Sequence, residues 1–187
     1  MRNSIFDQQF ISFGGIMDEA ELEKVLKESL AIEQKGFKWY SEGAEKITNS
    51  LGRKMLIRLA EDELTHIKRI KEIYESLTNN TLQEVTINSP NLAIFDEIFE
   101  RMKTQVDDAV IDLKEVGVDD EEIINVALEL ESHSKFFYEH AAENASDKVI
   151  REFYQMLAKE EKSHYELLAR TNQYLANPSL FFGMSDH

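Results

Sequence analysis

The sequence predicts an all-α protein, and three observations support this fold class. The 187 residues include only two prolines, Pro90 and Pro178, and seven glycines, so little interrupts long helices. Residues 20–37 and 56–77 are rich in Ala, Leu, Glu and Lys, which are good helix formers. Four long segments also repeat apolar residues with a period of about 3.6, the spacing of one helix face.

The first two predicted helices occupy the first half of the chain. One runs from about Asp18 to Ile47 and the next from about Ser50 to Leu77. The inner stripe of the first contains Leu22, Val25, Leu26, Leu30, Glu33, Phe37 and Tyr40. The inner stripe of the second contains Leu56, Leu59, Ala60, Glu63, Ile67, Ile70 and Tyr74. Each stripe therefore has one glutamate among apolar and aromatic residues.

The second half has the same arrangement. Two further helices are predicted from about Asp119 to Asn144 and from about Ser146 to Leu175. The inner residues of the third are Ile124, Ala127, Leu128, Glu131 and Tyr138. Those of the fourth are Phe153, Tyr154, Leu157, Ala158, Glu161, Tyr165 and Leu168. Ser50, Asp119 and Ser146 are the expected N-caps, because their side chains can accept hydrogen bonds from the free amides of a first turn.

The two halves align as a repeat at an offset of 98 positions. Without insertion or deletion, identical residues occur at Leu30/Leu128, Glu33/Glu131, Tyr40/Tyr138, Ala44/Ala142, Glu45/Glu143, Arg53/Arg151, Leu59/Leu157, Ala60/Ala158, Glu63/Glu161 and His66/His164. Each half is therefore predicted to be an αα-hairpin, the first over residues 18–77 and the second over 119–176. Together the hairpins predict a four-helix bundle over residues 18–176.

The remaining segments lie outside the repeat. Residues 78–118 form a long crossover with helical spacing in part, which would carry the third helix to an antiparallel place beside the first. Residues 1–17 form an N-terminal arm, and residues 177–187 form a C-terminal tail. We expect the aromatic residues of arm and tail to dock on the bundle or on a second subunit; these are Phe6, Phe10, Phe13, Phe181 and Phe182.

Composition excludes several functional classes. The net charge is −15, which opposes binding to nucleic acid or to an anionic membrane. The chain contains no cysteine, which excludes disulfides, thiolate metal sites and iron–sulfur centres. No apolar run approaches the roughly 18 residues of a membrane span, and the N-terminus lacks the apolar run of a signal peptide. A cytoplasmic protein is therefore expected.

A four-residue signature occurs twice and predicts a metal site. Each copy reads Glu-x6-Tyr on one helix and Glu-x-x-His on the next; the copies are Glu33, Tyr40, Glu63, His66 and Glu131, Tyr138, Glu161, His164. Four glutamates on apolar stripes face a desolvation cost of several kcal/mol each unless they are paired. The inner stripes hold no matching set of lysines or arginines. Two divalent metal ions would balance the four negative charges, so the sequence predicts a dinuclear site.

Parts of this signature allow other interpretations. A single Glu-x-x-His is more often a solvated surface pair, and only its repetition in a helical context favours a dinuclear site. Tyr40 and Tyr138 could hydrogen-bond ligand carboxylates, take part in one-electron steps or fill the core. His133, His140 and His187 lie off the ligand stripes and are expected at the surface.

The doubled signature resembles the ferritin-like superfamily of diiron-carboxylate proteins. Over about residues 20–175 the chain is most similar to the rubrerythrin and bacterioferritin branch. The resemblance implies two iron ions, with Mn or Zn as alternatives. The roles it implies are terminal ligation by Glu33 and Glu131, bridging by Glu63 and Glu161, and one imidazole per metal from His66 and His164.

Three departures from the family limit what the resemblance implies. Rubrerythrins usually have an extra glutamate three residues after the third-helix ligand, where this chain has Ser134. Peroxidase behaviour that depends on that ligand is therefore in doubt. No rubredoxin domain accompanies the bundle, so electrons are expected from a separate donor protein. Bacterioferritin has a haem-binding methionine after the second-helix glutamate, and Leu64 at this place predicts no haem.

The activity that the resemblance implies is redox chemistry with O₂ or H₂O₂, in a peroxidase- or ferroxidase-type oxidoreductase. Alternatives are ferritin-type iron storage or detoxification, which needs a large hollow assembly, and an oxygenase that acts on an organic substrate. A metal-free structural bundle is the remaining alternative. We expect a homodimer or a larger homo-oligomer, with no nucleic-acid or membrane partner.

Overall fold

The computed structural model describes residues 17–87 and 118–176, and four long α-helices make up most of this part of the chain. The helices are α1 (Glu19–Lys46), α2 (Ser50–Thr78), α3 (Val118–Asn144) and α4 (Lys148–Ala176), and a 3-10 turn spans Leu82–Glu84. The two described ranges contain no strand. The predicted all-α fold class is confirmed, and each helix begins and ends within two residues of its predicted bounds.

A capping box fixes the start of α1. Asp18 Oδ1 accepts a hydrogen bond from Glu21 N at 2.9 Å, and Glu21 Oε2 accepts one from Asp18 N at 3.1 Å. The Asp18 carboxylate thereby satisfies one of the amides that a first helical turn leaves free, and the reciprocal bond fixes the capping residue itself. The negative charges also lie at the positive end of the helix dipole, where they are stabilising.

The predicted caps Ser50 and Ser146 are wrong by one residue. Asn49 caps α2, because its Oδ1 accepts a first-turn N–H at 3.0 Å. Asp147 caps α4, because its Oδ1 accepts two N–H groups of the first turn at 2.7 and 3.2 Å. In both places two residues that favour caps are adjacent, so the sequence does not decide which of them is used. Asp119 lies inside α3, which begins one residue earlier.

The helices pair as two hairpins, α1 with α2 and α3 with α4, and the hairpins pack with α1 beside α3 and α2 beside α4. Asp120, near the start of α3, accepts hydrogen bonds at 2.8–2.9 Å from Thr48 N, Thr48 Oγ1 and Asn49 N. At the other end of the bundle, Met17 N donates to Asn144 O at 3.0 Å. The start of α3 therefore lies beside the end of α1, as the predicted antiparallel arrangement requires.

The apolar interior consists of two clusters, one towards each end of the bundle. The first includes Tyr40, Ile47, Leu51, Leu56, Ile124 and Leu168. The second includes Leu22, Val25, Ile70, Tyr138, Ile150 and Tyr154. Along each helix, the predicted metal ligands lie between members of the two clusters. A polar layer is therefore enclosed by apolar packing on both sides.

Several predictions about the rest of the chain are not tested by this structure. The partial helix of the crossover, the docking of the arm and tail aromatics, and the position of His187 fall outside the described residues. The boundaries of the bundle at residues 18 and 176 also stay predictions. Where the structure describes helices, none has an apolar stretch of the length needed to cross a membrane.

Candidate metal centre

All six predicted metal ligands are buried near the middle of their helices. They are Glu33, Glu63, His66, Glu131, Glu161 and His164, and each exposes 3% or less of its surface. One comes from α1, two from α2, one from α3 and two from α4. The two on α2, like the two on α4, are three residues apart and therefore share a helix face. Both hairpins thus bring equivalent residues to the same layer.

The six side chains form two overlapping groups, each of a size that suits one metal ion. One group is Glu33, Glu63, His66 and Glu161, and the other is Glu63, Glu131, Glu161 and His164. Within each group, one ligand atom per residue lies within 4.8 Å of all the others. The imidazole rings of His66 and His164 are nearly parallel, with centroids 5.6 Å apart. Because Glu63 and Glu161 belong to both groups, their carboxylates are available to both positions.

The two tyrosines of the signature hydrogen-bond glutamates of the opposite hairpin. Tyr40 Oη on α1 donates to Glu131 Oε1 on α3 at 2.7 Å. Tyr138 Oη on α3 donates to Glu33 Oε1 on α1. Both rings are buried within the apolar clusters. Each tyrosine therefore fills the core with its ring and hydrogen-bonds a glutamate with its hydroxyl. Core packing and the hydrogen bond, which the sequence offered as alternatives, occur together.

Burial and mutual repulsion disfavour ionisation of the shared glutamates. Burial raises the pKa of Glu63 well above its usual range, and the charges of Glu33 and Glu161 raise it further. Burial, followed by the charges of Glu131 and Glu33, raises the pKa of Glu161 in the same way. Without a metal ion, ionisation of both shared carboxylates is therefore unfavourable. A cation between them would offset their mutual repulsion and the loss of hydration.

The carboxylates around His66 and His164 favour the protonated form of both imidazole rings. Burial alone would lower the pKa of His66, but the charge of Glu33 and hydrogen bonds to carboxylates outweigh burial and raise it well above the usual value. For His164, burial is outweighed by Glu131 and by hydrogen bonds to carboxylates, and the pKa rises from 6.5 to about 10. Both positions therefore attract positive charge, which a proton supplies when no metal does.

Two buried carboxylate oxygens test whether this cluster fits metal ions. Among the described residues, no well-aligned hydrogen-bond donor reaches Glu131 Oε2 or Glu161 Oε1. The ring nitrogens nearest to them are His164 Nδ1 at 3.5 Å and His66 Nδ1 at 3.2 Å. An ionised oxygen that is buried without a donor is costly, whereas a divalent cation satisfies it directly. The donor set therefore fits metal ions.

Comparison with known families agrees with this geometry. The sequence matches the family model described as Rubrerythrin over residues 24–172, a range that includes both copies of the signature. The chain belongs to the rubrerythrin family. The predicted resemblance is therefore confirmed. No match was found among the curated proteins or among the solved structures.

This rubrerythrin-family chain departs from the usual family pattern at Ser134. Ser134 is buried on α3, and its Oγ donates to Leu130 O of the preceding turn at 3.0 Å. The hydroxyl is thus engaged with its own helix. Glu131 is the one α3 residue in those groups, which together contain four glutamates and two histidines.

Gly36 is a residue of this rubrerythrin-family chain that the sequence analysis missed. It lies on α1 opposite Glu63, and a Cβ atom at this position would stand 3.0 Å from Glu63 Oε1 and 3.2 Å from Glu63 Cδ. The absence of a side chain allows the Glu63 carboxylate to approach the α1 backbone. The signal in the sequence was a glycine three residues after Glu33 in the middle of a helix, where glycine is otherwise unfavourable.

Two further acidic residues of the chain were also missed, although the repeat contains them. Asp62 and Glu160 directly precede the shared glutamates and are 98 positions apart. Asp62 Oδ2 lies 3.5 Å from His164 Nε2, and Glu160 Oε2 lies 3.0 Å from His66 Nε2. The doubled motif is therefore Asp/Glu-Glu-x-x-His. Its first acid is Asp in one copy and Glu in the other, so it does not appear among the identical pairs of the repeat.

Proposed function

We propose that this chain binds a pair of metal ions, iron in the first place, and is an oxidoreductase that reduces hydrogen peroxide or dioxygen. The observation that supports this proposal most strongly is the sharing of Glu63 and Glu161 by two metal-sized groups. A single metal site needs no second group, whereas carboxylates that belong to two groups can serve two adjacent ions. Glu33 and His66 would hold one ion, Glu131 and His164 would hold the other, and Glu63 and Glu161 would be available to both.

The ligand types favour iron or manganese. Mixed carboxylate and imidazole sets suit these metals, and no thiolate is available because the chain has no cysteine. Zinc can bind the same donors but has no redox chemistry. When bound, a pair of iron ions supplies the electrons that reduce peroxide or dioxygen. Membership of the rubrerythrin family supports iron as the first metal to test.

The chain's own residues hold the ions and keep their surroundings apolar. The clusters on both sides of the polar layer exclude water, which strengthens the electrostatic interactions within it. Tyr40 and Tyr138 each engage one oxygen of a terminal glutamate, which leaves the second oxygen to face the cluster. A one-electron role of the two tyrosines stays a prediction.

The reaction requires electrons from outside the chain. With no cysteine in 187 residues, the chain has no thiolate-held iron centre from which to draw them. We therefore propose a separate electron-donor protein as the partner, and a homodimer or larger homo-oligomer as the assembly.

Anaerobic reconstitution with Fe²⁺, followed by mixing with hydrogen peroxide, tests the proposed activity. We expect near-ultraviolet absorbance of oxidised iron to rise, with one peroxide consumed for each iron pair. Zn²⁺-loaded protein is the control, since it has the same ligands but cannot be oxidised. Iron-loaded protein that neither changes absorbance nor consumes peroxide or dioxygen would contradict the proposal.

A further inference from the structure

Each imidazole of the candidate metal centre has two different sides. His66 Nδ1 faces the cluster, at 3.0 Å from Glu33 Oε2 and 3.2 Å from Glu161 Oε1. His164 Nδ1 likewise faces Glu131 Oε2 at 3.5 Å. In both rings Nε2 points away from the cluster. Only Nδ1 is therefore placed to bind a metal ion, and Nε2 is left to carry the ring proton.

The acid that precedes each shared glutamate lies at the Nε2 side of the histidine on the opposite hairpin. Glu160 on α4 contacts His66 on α2 at 3.0 Å, and Asp62 on α2 contacts His164 on α4 at 3.5 Å. Neither acid belongs to a metal-sized group. Because the two contacts are related by the internal repeat, the arrangement is built into both halves of the chain.

We propose that Glu160 and Asp62 are positioning residues that fix the tautomer and ring orientation of His66 and His164. A carboxylate that accepts the Nε2 proton leaves the Nδ1 lone pair directed at the metal and makes it a better donor. This inference rests on the proposed function, since it concerns ligands of the proposed metal pair. It adds a second residue of the other hairpin to each metal position, beside the shared glutamate.

The two positions are not equivalent. Arg69 Nη1 on α2 donates to both oxygens of Glu160, at 3.0 and 2.8 Å, and Glu160 exposes only 9% of its side chain. Asp62 is paired with Arg58 of its own helix at 2.7 Å, exposes 15% of its side chain, and its contact with histidine is longer. Glu160 therefore joins His66 and Arg69 of the opposite hairpin. We expect the His66 ring to be oriented more tightly than the His164 ring.

Metal binding by matched Glu160 variants tests this proposal. Glu160→Met keeps the length of the side chain but cannot accept the Nε2 proton, whereas Glu160→Gln keeps an acceptor without the charge. Zn²⁺, which is diamagnetic and has no redox chemistry, is titrated into each metal-free protein and followed by calorimetry. Glu166→Met, an exposed substitution on the same helix, is the control.

We expect Glu160→Met to weaken binding of one of the two Zn²⁺ ions by about 10- to 100-fold, the range found for such outer partners. Glu160→Gln should recover part of this loss, and Asp62→Asn should weaken the other ion by a smaller factor. In the Zn²⁺-loaded protein, the nitrogen NMR signal of a protonated His66 Nε2 should change in Glu160→Met. The signal of His164 should stay in place.

Three outcomes would overturn either the positioning role of Glu160 or the proposed function. If Glu160→Met is folded and binds both Zn²⁺ ions as the unsubstituted protein does, the positioning role is overturned. If Met and Gln weaken binding equally and leave the His66 signal unchanged, Glu160 acts through packing and the role is also overturned. If the unsubstituted protein binds no metal pair, the proposed function itself fails, and this result is recognised before any variant is compared.

Discussion

At the level of single residues, the position of Glu63 depends on a side chain that is missing from its neighbour. Gly36 leaves room for the Glu63 carboxylate, which a Cβ would approach to 3.0 Å. This contact involves a terminal oxygen, so the carboxylate can move away. It can do so only by leaving the position from which it is shared between the two groups.

Gly36→Ala should therefore impair metal binding more than folding. We expect the shared carboxylate to shift, the affinity for both ions to fall, and the free energy of unfolding to change by no more than about 1–3 kcal/mol, as for an overpacked core. Gly43→Ala is the matched control, because a Cβ there would meet only Ile123 and Leu56. Isothermal titration with metal and urea unfolding measure the two effects. Equal metal affinity in the two variants would contradict this prediction.

The tyrosines contribute to stability through hydrogen bonds to buried carboxylates. Tyr40→Phe removes the donor that lies 2.7 Å from Glu131 Oε1 and should lower the free energy of unfolding of the metal-free protein by about 1–3 kcal/mol. Tyr154→Phe is the control, since that hydroxyl hydrogen-bonds the neutral Ser29 at 3.2 Å and its loss should cost less. Urea unfolding of both variants gives the comparison. A Tyr40→Phe variant as stable as the unsubstituted protein would show that the hydrogen bond contributes little.

At the level of helices, Asp120 joins the two hairpins. It is fully buried and accepts three hydrogen bonds from Thr48 and Asn49 at the turn between α1 and α2. The equivalent position of the first hairpin is Leu22, so this link does not follow the repeat. It determines how far α3 is displaced along α1, and hence whether Glu33 and Glu131 reach the same layer.

Asp120→Ala should remove the acceptor of two backbone amides, of which Asn49 N is buried and Thr48 N is partly buried. An unsatisfied buried group costs about 1–3 kcal/mol, so the free energy of unfolding should fall by at least that amount. Glu121→Ala, at the exposed neighbouring position, should change stability little and serves as the control. Thermal and urea unfolding measure the difference. A loss no larger than that of the control would mean that water replaces the carboxylate.

The helices show which parts of the structure follow from the sequence. The stripes and the 98-residue repeat predict four helices and the six residues of the central layer, because helical period and burial are local properties. The caps at Asn49 and Asp147 were missed because adjacent residues compete for one position. Glu160, Asp62 and Asp120 act through contacts between hairpins, and Gly36 acts through a contact between the two helices of the first hairpin, so their functions depend on packing that helical period does not specify. The missed residues therefore share a dependence on tertiary packing.

At the level of the whole molecule, the buried charges make the stability of the metal-free protein depend on pH. The pKa of His164 is raised from 6.5 to about 10, and that of His66 is also raised. A group whose pKa is raised by folding stabilises the folded state below its unfolded pKa, and this contribution is lost as pH rises through the folded value. The raised pKa values of Glu63 and Glu161 act in the same direction.

We therefore expect metal-free protein to lose stability as pH rises from about 6.5 to about 10. Metal-loaded protein should not show this loss, because the metal replaces the ring protons as the source of positive charge. Urea unfolding midpoints of both forms, measured across this window, test the prediction. A metal-free protein whose stability is constant or rises over the window would contradict it.

We propose above all that the two hairpins together hold a pair of metal ions with two shared glutamates. The most direct test is the metal content of each chain after anaerobic loading with Fe²⁺ and removal of unbound metal. We predict two ions per chain in the unsubstituted protein, about one in Glu33→Ala, and fewer than one in Glu63→Ala, because Glu63 belongs to both groups. A content that stays the same in Glu63→Ala, or that never exceeds one ion in the unsubstituted protein, would contradict the claim.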